Sequence, residues 1–363
     1  MLHLHPLLAL ALVALPAAAQ SPATALHDQG GRVPDPLELL TPPTGIYCSC
    51  PPTNANSDSV LASVAQLPFV DGILVRVTWA DLEPSPGVFD LSLLQRQFDL
   101  ARQYDVDVTL ALIGGSFGSP AWLADLGAQT LAITHPMGTG SVPLAWDPVF
   151  LQRWSDLVRV VGAAYDGHPR LRLVHATTAS FNGMEMQLPL NAEAAFVAAG
   201  YTPALYTDAY TASLDVFAEA FPSHPIDVEV HPVFGDDAVA IEVVKYGHAQ
   251  YGARFGVFGA WWSTHNATQV YPGMFTLLGQ AAQVSYATVQ VVGSWIKTPE
   301  RFDHDLAKYL DTYALALESG VDYFEIWNAD LLDAGLAPIW QRLEQTAIPC
   351  RTPAAVPPDE GAR

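Results

Sequence analysis

The sequence has few basic residues: 16 Lys and Arg stand against 37 Asp and Glu, for a formal net charge of −21 at pH 7. Such a chain repels nucleic acid phosphates and anionic lipid, which removes both as expected partners and leaves neutral or cationic ones. Cysteine is scarce as well. The three present are Cys48 and Cys50, in a Cys-Ser-Cys run, and Cys350. With no His nearby at zinc-like spacing they fall short of a structural metal site, so no metal is expected. Past its amino terminus the chain has no apolar run of the ~20 residues that a spanning helix needs. No Gly-x-Gly-x-x-Gly turn follows the first strand-like run, which argues against a dinucleotide site. Nothing in the sequence sets an oligomeric state.

What is present begins with Met1 to His5, an apolar block from Pro6 to Pro16, and then Ala17-Ala18-Ala19-Gln20. This is the plan of a secretory signal peptide, with cleavage expected after Ala19. It places the mature protein outside the cell or in the periplasm, with no membrane contact after cleavage. In an oxidising compartment a suitable cysteine pair tends to close. A bridge from Cys48 or from Cys50 to Cys350 would tie the first strand to the end of the last helix, and the sequence leaves that choice open. Residues 20–43 are rich in Pro, Gly and polar side chains and read as a linker or a strap over a barrel floor. Residues 351–363 read as a disordered tail. Half of the chain is hydrophobic, enough for a large core.

Between those ends, apolar β-branched runs alternate with helical patterns, the signature of parallel βαβ units. The runs are Gly45 to Ser49, Gly72 to Trp79, Asp107 to Gly114, Leu171 to Ala179, Ile226 to Phe234, Arg254 to Trp262, Ala287 to Trp295 and Val321 to Trp327. Amphipathic stretches such as Leu91 to Tyr104, Pro148 to Tyr165 and Phe302 to Glu318 lie between them. Eight strands with intervening helices predict an α/β fold, a single (β/α)8 TIM barrel over residues 44–350, ahead of an open doubly wound sheet. In such a barrel the chemistry gathers at the carboxyl ends of the strands. Those ends carry Trp79, Trp122, Trp261, Trp262, Trp295 and Trp327. Indole faces stack on the C–H faces of sugars, so Trp79, Trp122, Trp261 and Trp327 are candidate platforms.

The most informative stretch runs from Arg76 to Asp90, Arg-Val-Thr-Trp-Ala-Asp-Leu-Glu-Pro-Ser-Pro-Gly-Val-Phe-Asp. It resembles clan A glycoside hydrolases, in particular the β-galactosidase-like barrels, whose second strand carries an Arg and runs into Trp-x-x-Leu-Glu-Pro. The likeness continues in Ser119-Pro120-Ala121-Trp122-Leu123, Trp146-Asp147-Pro148 and Tyr165-Asp166-Gly167-His168-Pro169. It covers roughly residues 45–190, and the second half only by strand count. The resemblance implies a (β/α)8 fold, hydrolysis of a glycosidic bond in a carbohydrate substrate, and no metal or organic cofactor. It also implies that Glu83 shapes its loop, not the reaction.

Glycoside hydrolysis needs one carboxylic acid to protonate the leaving oxygen and a second carboxylate on the other side of the ring. The resemblance places an Asn and the acid/base Glu at the end of the fourth strand, where this chain has Asn182 and, three residues on, Glu185. It places the nucleophile at the end of the seventh strand, where this chain has Gln290. An amide has no charge with which to stabilise an oxocarbenium-like transition state. Glu325 and Glu229 are the positional replacements. Residues two apart on a strand share a face, which groups Tyr323, Glu325 and Trp327, and likewise Asp227, Glu229 and His231. The resemblance implies that Arg76 points inward, where it can pair with either acid, and Arg76, Asn182, His231 and Gln290 join the tryptophans as substrate-binding candidates. Two readings result. One is an exported hydrolase of a poly- or oligosaccharide with Glu185 as general acid; the alternative is a catalytically inactive carbohydrate-binding barrel. A serine esterase ranks below both.

Overall fold

The computed structural model describes residues 40–50, 57–135 and 138–347. The expectations for the signal peptide, for Cys350, for the tail and for all but residues 40–43 of the strap lie outside the described residues.

Eight parallel strands form a closed ring: β1 Gly45–Ser49, β2 Gly72–Thr78, β3 Asp107–Ile113, β4 Leu171–His175, β5 Ile226–Glu229, β6 Phe255–Trp262, β7 Ala287–Val291 and β8 Tyr323–Trp327. β1 pairs with both β2 and β8, which closes the barrel and confirms the (β/α)8 expectation over the open sheet. Each apolar run of the sequence contains one strand. β4, β5 and β7 stop four or five residues early, at His175, Glu229 and Val291, and the remainders become loop on the carboxyl face. A hairpin of Thr130–His135 and Gly138–Pro143, inserted after β3, was not foreseen from the sequence.

The helices wrap the ring because each offers one apolar stripe. The helix Pro148–Tyr165 shows how the local sequence sets one. Asp147 accepts from the Val149 and Phe150 amides as N-cap, and Pro148 fits the first turn, where no amide is needed. The helix then buries Phe150, Trp154, Leu157, Val158 and Val161 completely. Each such side chain contributes about 1.5–3 kcal/mol of burial. Loss of the cap, as in Asp147→Ala, removes about 1 kcal/mol.

One expectation is corrected at β1. Cys48 and Cys50 are bonded to each other across a Cα–Cα distance of 5.2 Å, where a bridge from one of them to Cys350 had been considered. Side chains two apart on extended chain leave the same face, and this separation lies inside the range a disulfide spans.

Candidate active site

The loop after β2 is built around Glu83, which is fully buried. Its carboxylate accepts from the Trp79 indole at 2.8 Å and the Gly87 amide at 2.7 Å, and it pairs with Arg153. Its carbonyl accepts from the Trp122 indole at 3.0 Å. Glu83 therefore organises a loop, and the same contacts correct one of the expected platforms. Trp79 has no exposed surface and is enclosed by Trp122, Phe150 and Trp154. Trp122 stays half-buried, packing edge-on against Trp79 and lying 5.5 Å from the Arg153 guanidinium carbon. Trp261 is corrected for a similar reason. It is 2 % exposed, its indole N–H donates to the Val230 carbonyl, and its ring supports His231 and Tyr271. Trp262 is core, donating to the Thr312 carbonyl. Trp327 remains half-buried at the end of β8, with Arg76 5.9 Å from its ring centroid.

Inside the barrel, inward side chains of β4, β5, β7 and β8 form a closed polar layer. His175 Nδ1 lies 2.7 Å from Asp227, whose other oxygen accepts from the Thr288 hydroxyl at 2.6 Å. His175 Nε2 lies 3.4 Å from Glu325. Glu325 accepts from the Gln290 amide and the Tyr323 hydroxyl, both at 2.8 Å. Burial opposes a charge on His175, but Asp227 and Glu325 outweigh it and push the imidazole up to about 10. It is therefore a cation between two acids at neutral pH. Burial likewise pulls Arg76 down, against the opposing pull of Glu325 and Glu185. Glu325 has no exposed surface, which corrects its expected place as the second reacting carboxylate. Gln290 takes the position of the seventh-strand acid and serves as a donor to Glu325.

Toward the rim the layer opens. The loop after β4 is pinned to the loop after β3 by the Ser116 amide, which donates to the Phe181 carbonyl at 3.2 Å. Gly183, at φ 81°, lies so close that a Cβ would stand 2.1 Å from the Gly114 oxygen. This curl brings Asn182 and Glu185 together although Gly183 and Met184 separate them. Asn182 Oδ1 accepts from the Met184 and Glu185 amides at 3.0 and 2.9 Å, and its Nδ2 donates to Glu185 at 2.8 Å. The other Glu185 oxygen accepts from Gln187. Glu185 keeps 24 % of its side chain exposed and lies 4.0 Å from His231 Nδ1.

His231 Nδ1 also lies 2.6 Å from Glu229, and Glu229 accepts from the Met186 amide at 2.7 Å. Burial, reinforced by Glu185, raises Glu229 above the ordinary carboxylate range against the opposing pull of His231. Burial opposes protonation of His231, but Glu229 and Glu185 raise it overall. Only 2 % of Glu229 is exposed, and it meets the same His231 Nδ1 that Glu185 approaches, so the two acids are direct neighbours.

A cavity of about 370 Å³ adjoins this cluster, lined by Gln187, His231, Asp237, Tyr271 and Gly273 among others. A second, of about 600 Å³, lies between the loops after β6 and β7 and includes His265, Asn266 and Arg301. Among the described residues no group of His, Cys, Asp and Glu is arranged to hold a metal ion. Gly114 to Gly118 does spell Gly-x-Ser-x-Gly, but the Ser116 hydroxyl donates to the Phe181 carbonyl. With its proton given to a carbonyl and no His bonded to it, Ser116 lacks the base that a nucleophile needs. Sequence reasoning passed over His175, Gln187, Asp237 and Tyr271. Only His175, a lone ionisable group at the end of an apolar strand, carried a local signal.

Residues 57–181 match the β-galactosidase family model of glycoside hydrolases. No curated protein sequence matches the chain significantly. Among solved structures, the catalytic domain of β-amylase from Paenibacillus polymyxa aligns with a TM-score of 0.62 at 10 % identity, over 84 % of this chain and 99 % of that one. Endo-glycoceramidase II from Rhodococcus sp. aligns with a TM-score of 0.52 at 14 % identity, over 79 % and 73 %. An exo-β-1,4-mannosidase from Opitutaceae bacterium strain TAV5 aligns with a TM-score of 0.51 at 14 % identity, over 85 % and 61 %. At these identities the structures speak for the fold. Together, the family match over residues 57–181 and the closed ring of strands show the likeness to clan A, β-galactosidase-like barrels that the Arg76 to Asp90 run implied.

Proposed function

We propose that this protein is a glycoside hydrolase acting on a poly- or oligosaccharide, with Glu185 as the general acid that protonates the leaving oxygen. The observation that carries the reading is the state of Glu185. Of the three acids expected from the sequence it is by far the most exposed, and its two oxygens are oriented by Asn182 and by Gln187, which lines a cavity. Such positioning is what general acid catalysis requires. The family match and the glycosidases among the structural relatives support the same reaction class. Asn182, His231, Arg76, Gln290 and Trp327 are assigned to binding, with His231 kept in place by Glu229. Export follows from the signal-peptide pattern, and mass spectrometry of protein recovered from an expressing culture checks cleavage after Ala19.

The test is hydrolysis of a glycan panel, followed by release of reducing ends, for the wild type and Glu185→Gln. The substitution is expected to lower kcat by about 10²–10⁴-fold without moving the melting temperature. Full activity in the variant refutes the assignment. The second reading, a binding barrel without turnover, is favoured by one observation: Gln290 stands where the resemblance places a carboxylate, and the acid next to it, Glu325, is sealed. Saturable glycan binding with no product from the wild type would decide for it.

A further inference from the structure

Arg76, near the rim end of β2, is a cation with little to hold it. Among the described residues its one hydrogen bond runs from Nη2 to the Cys50 carbonyl. Its Nε is buried without a partner, and Glu325 and Glu185 act on the charge only from beyond ion-pairing distance. We propose, resting on the hydrolase reading above, that the Cys48–Cys50 bridge is a positioning device for the substrate site. It fixes the Cys50 carbonyl, which aims the Arg76 guanidinium over Trp327 and so sets how tightly a sugar is held there.

Three observations carry this. First, Cys50 has no place in the barrel ladder. β1 ends at Ser49, whose partner on β8 is Trp327, and its pairing with β2 covers Tyr47 and Cys48 alone. The covalent link to Cys48, inside the ladder, is therefore what ties Cys50 to the strand. Second, the bridge and the site lie on opposite sides of the strand wall. The Tyr47 ring packs 4.5 Å from that of the inward Tyr323, so alternation sends the Cys48 and Cys50 side chains to the outer face, where both are fully buried. Neither sulfur can reach a substrate, and the Cys50 carbonyl is the group that carries the constraint to Arg76. Third, the receiving end is open. Arg76 and Trp327 are both half-buried, and the guanidinium carbon stands 5.9 Å from the Trp327 ring centroid, within range of a cation–π contact.

The energetics point the same way. A bridge that closes so short a loop removes little freedom from the unfolded chain, so stability is not its main return. A guanidinium, by contrast, presents its donors in one rigid fork, and a small rotation redirects all of them at once. With a single acceptor fixing that fork, whatever fixes the acceptor fixes the fork.

The experiment uses the full chain and the glycan that the wild type hydrolyses fastest or, without turnover, binds most tightly. The double substitution Cys48→Ala with Cys50→Ala is expected to raise KM by about 10-fold with kcat nearly unchanged, as when a hydrogen bond to a charged group is lost. For a protein that binds without turnover, Kd should rise by the same factor. Asp147→Ala loses comparable stability through the Gln129, Val149 and Phe150 amides, and should leave KM where it is. Arg76→Lys keeps the charge but not the fork, and in that background the double Ala substitution should add nothing to KM. Four results overturn the role of the bridge while a wild type that turns over keeps the hydrolase reading. They are a KM within about 2-fold of the wild type, a loss carried by kcat alone, an equal rise in KM for Asp147→Ala, and an equal added loss in the Arg76→Lys background. A wild type that neither hydrolyses nor binds any glycan removes both.

Discussion

Two histidines in this barrel each have two acids beside them, and their surroundings differ. His175 lies 2.7 Å from Asp227 and 3.4 Å from Glu325, and His231 lies 2.6 Å from Glu229 and 4.0 Å from Glu185. In the first set every side chain is at most 2 % exposed; in the second, Glu185 is 24 % exposed. The sealed set is a device of the fold. Its acids each neutralise part of a buried cation, and their remaining lone pairs are filled by Thr288, Gln290 and Tyr323. Such a layer is tolerated because its charges are paired and its acids hydrogen-bonded, although His175 Nε2 itself makes no hydrogen bond. The open set also joins one histidine to two acids, but Glu185 keeps a surface toward solvent. Chemical identity alone therefore does not separate a sealed glutamate from an open one.

The comparison breaks most visibly under substitutions that should split stability from activity. Asp227→Ala strands the His175 cation in the sealed layer and is expected to cost about 3–5 kcal/mol in urea unfolding. Glu185→Gln should change stability by less than about 0.5 kcal/mol, as a partly exposed group does. Equal losses in the two variants would mean that the layers are not distinct. The next largest effect is one of pH. The folded-state value of His175, about 10, lies above the ordinary value of 6.5. Its stabilising contribution is therefore fully present below the unfolded value and is lost as pH rises through the folded one. The urea midpoint should fall between neutral pH and about pH 10, and His175→Gln should flatten that fall relative to the wild type. The smallest effect belongs to the Cys48–Cys50 bridge. It closes a very short loop, so reduction, or the double substitution to Ser, should cost only about 1–2 kcal/mol in the same assay.

Much of the framework was legible because its signals are local. The Arg76 to Asp90 run showed the turn after β2, and Glu83 has the loop-shaping place the resemblance implied for it. Alternation correctly grouped Asp227 with Glu229, and Tyr323 with Glu325, on inward faces, since side chains two apart must leave the same side of a strand. The tryptophans misled for the opposite reason. A Trp at a strand end looks the same in sequence whether its face is open or covered, and Trp79 is covered by Phe150 and Trp154 from a helix some 70 residues away.

By itself, then, the amino-acid sequence determined the number and order of the barrel strands, the ring that they close into, and the face on which the polar residues collect. Those properties follow from periodicities of 2.0 and 3.6 residues that each segment carries without its neighbours. Tertiary structure alone decided which of Glu185, Glu229 and Glu325 meets water and which cysteine pair is joined. Exposure and contact are set by side chains converging from several strands, and no single segment encodes that convergence.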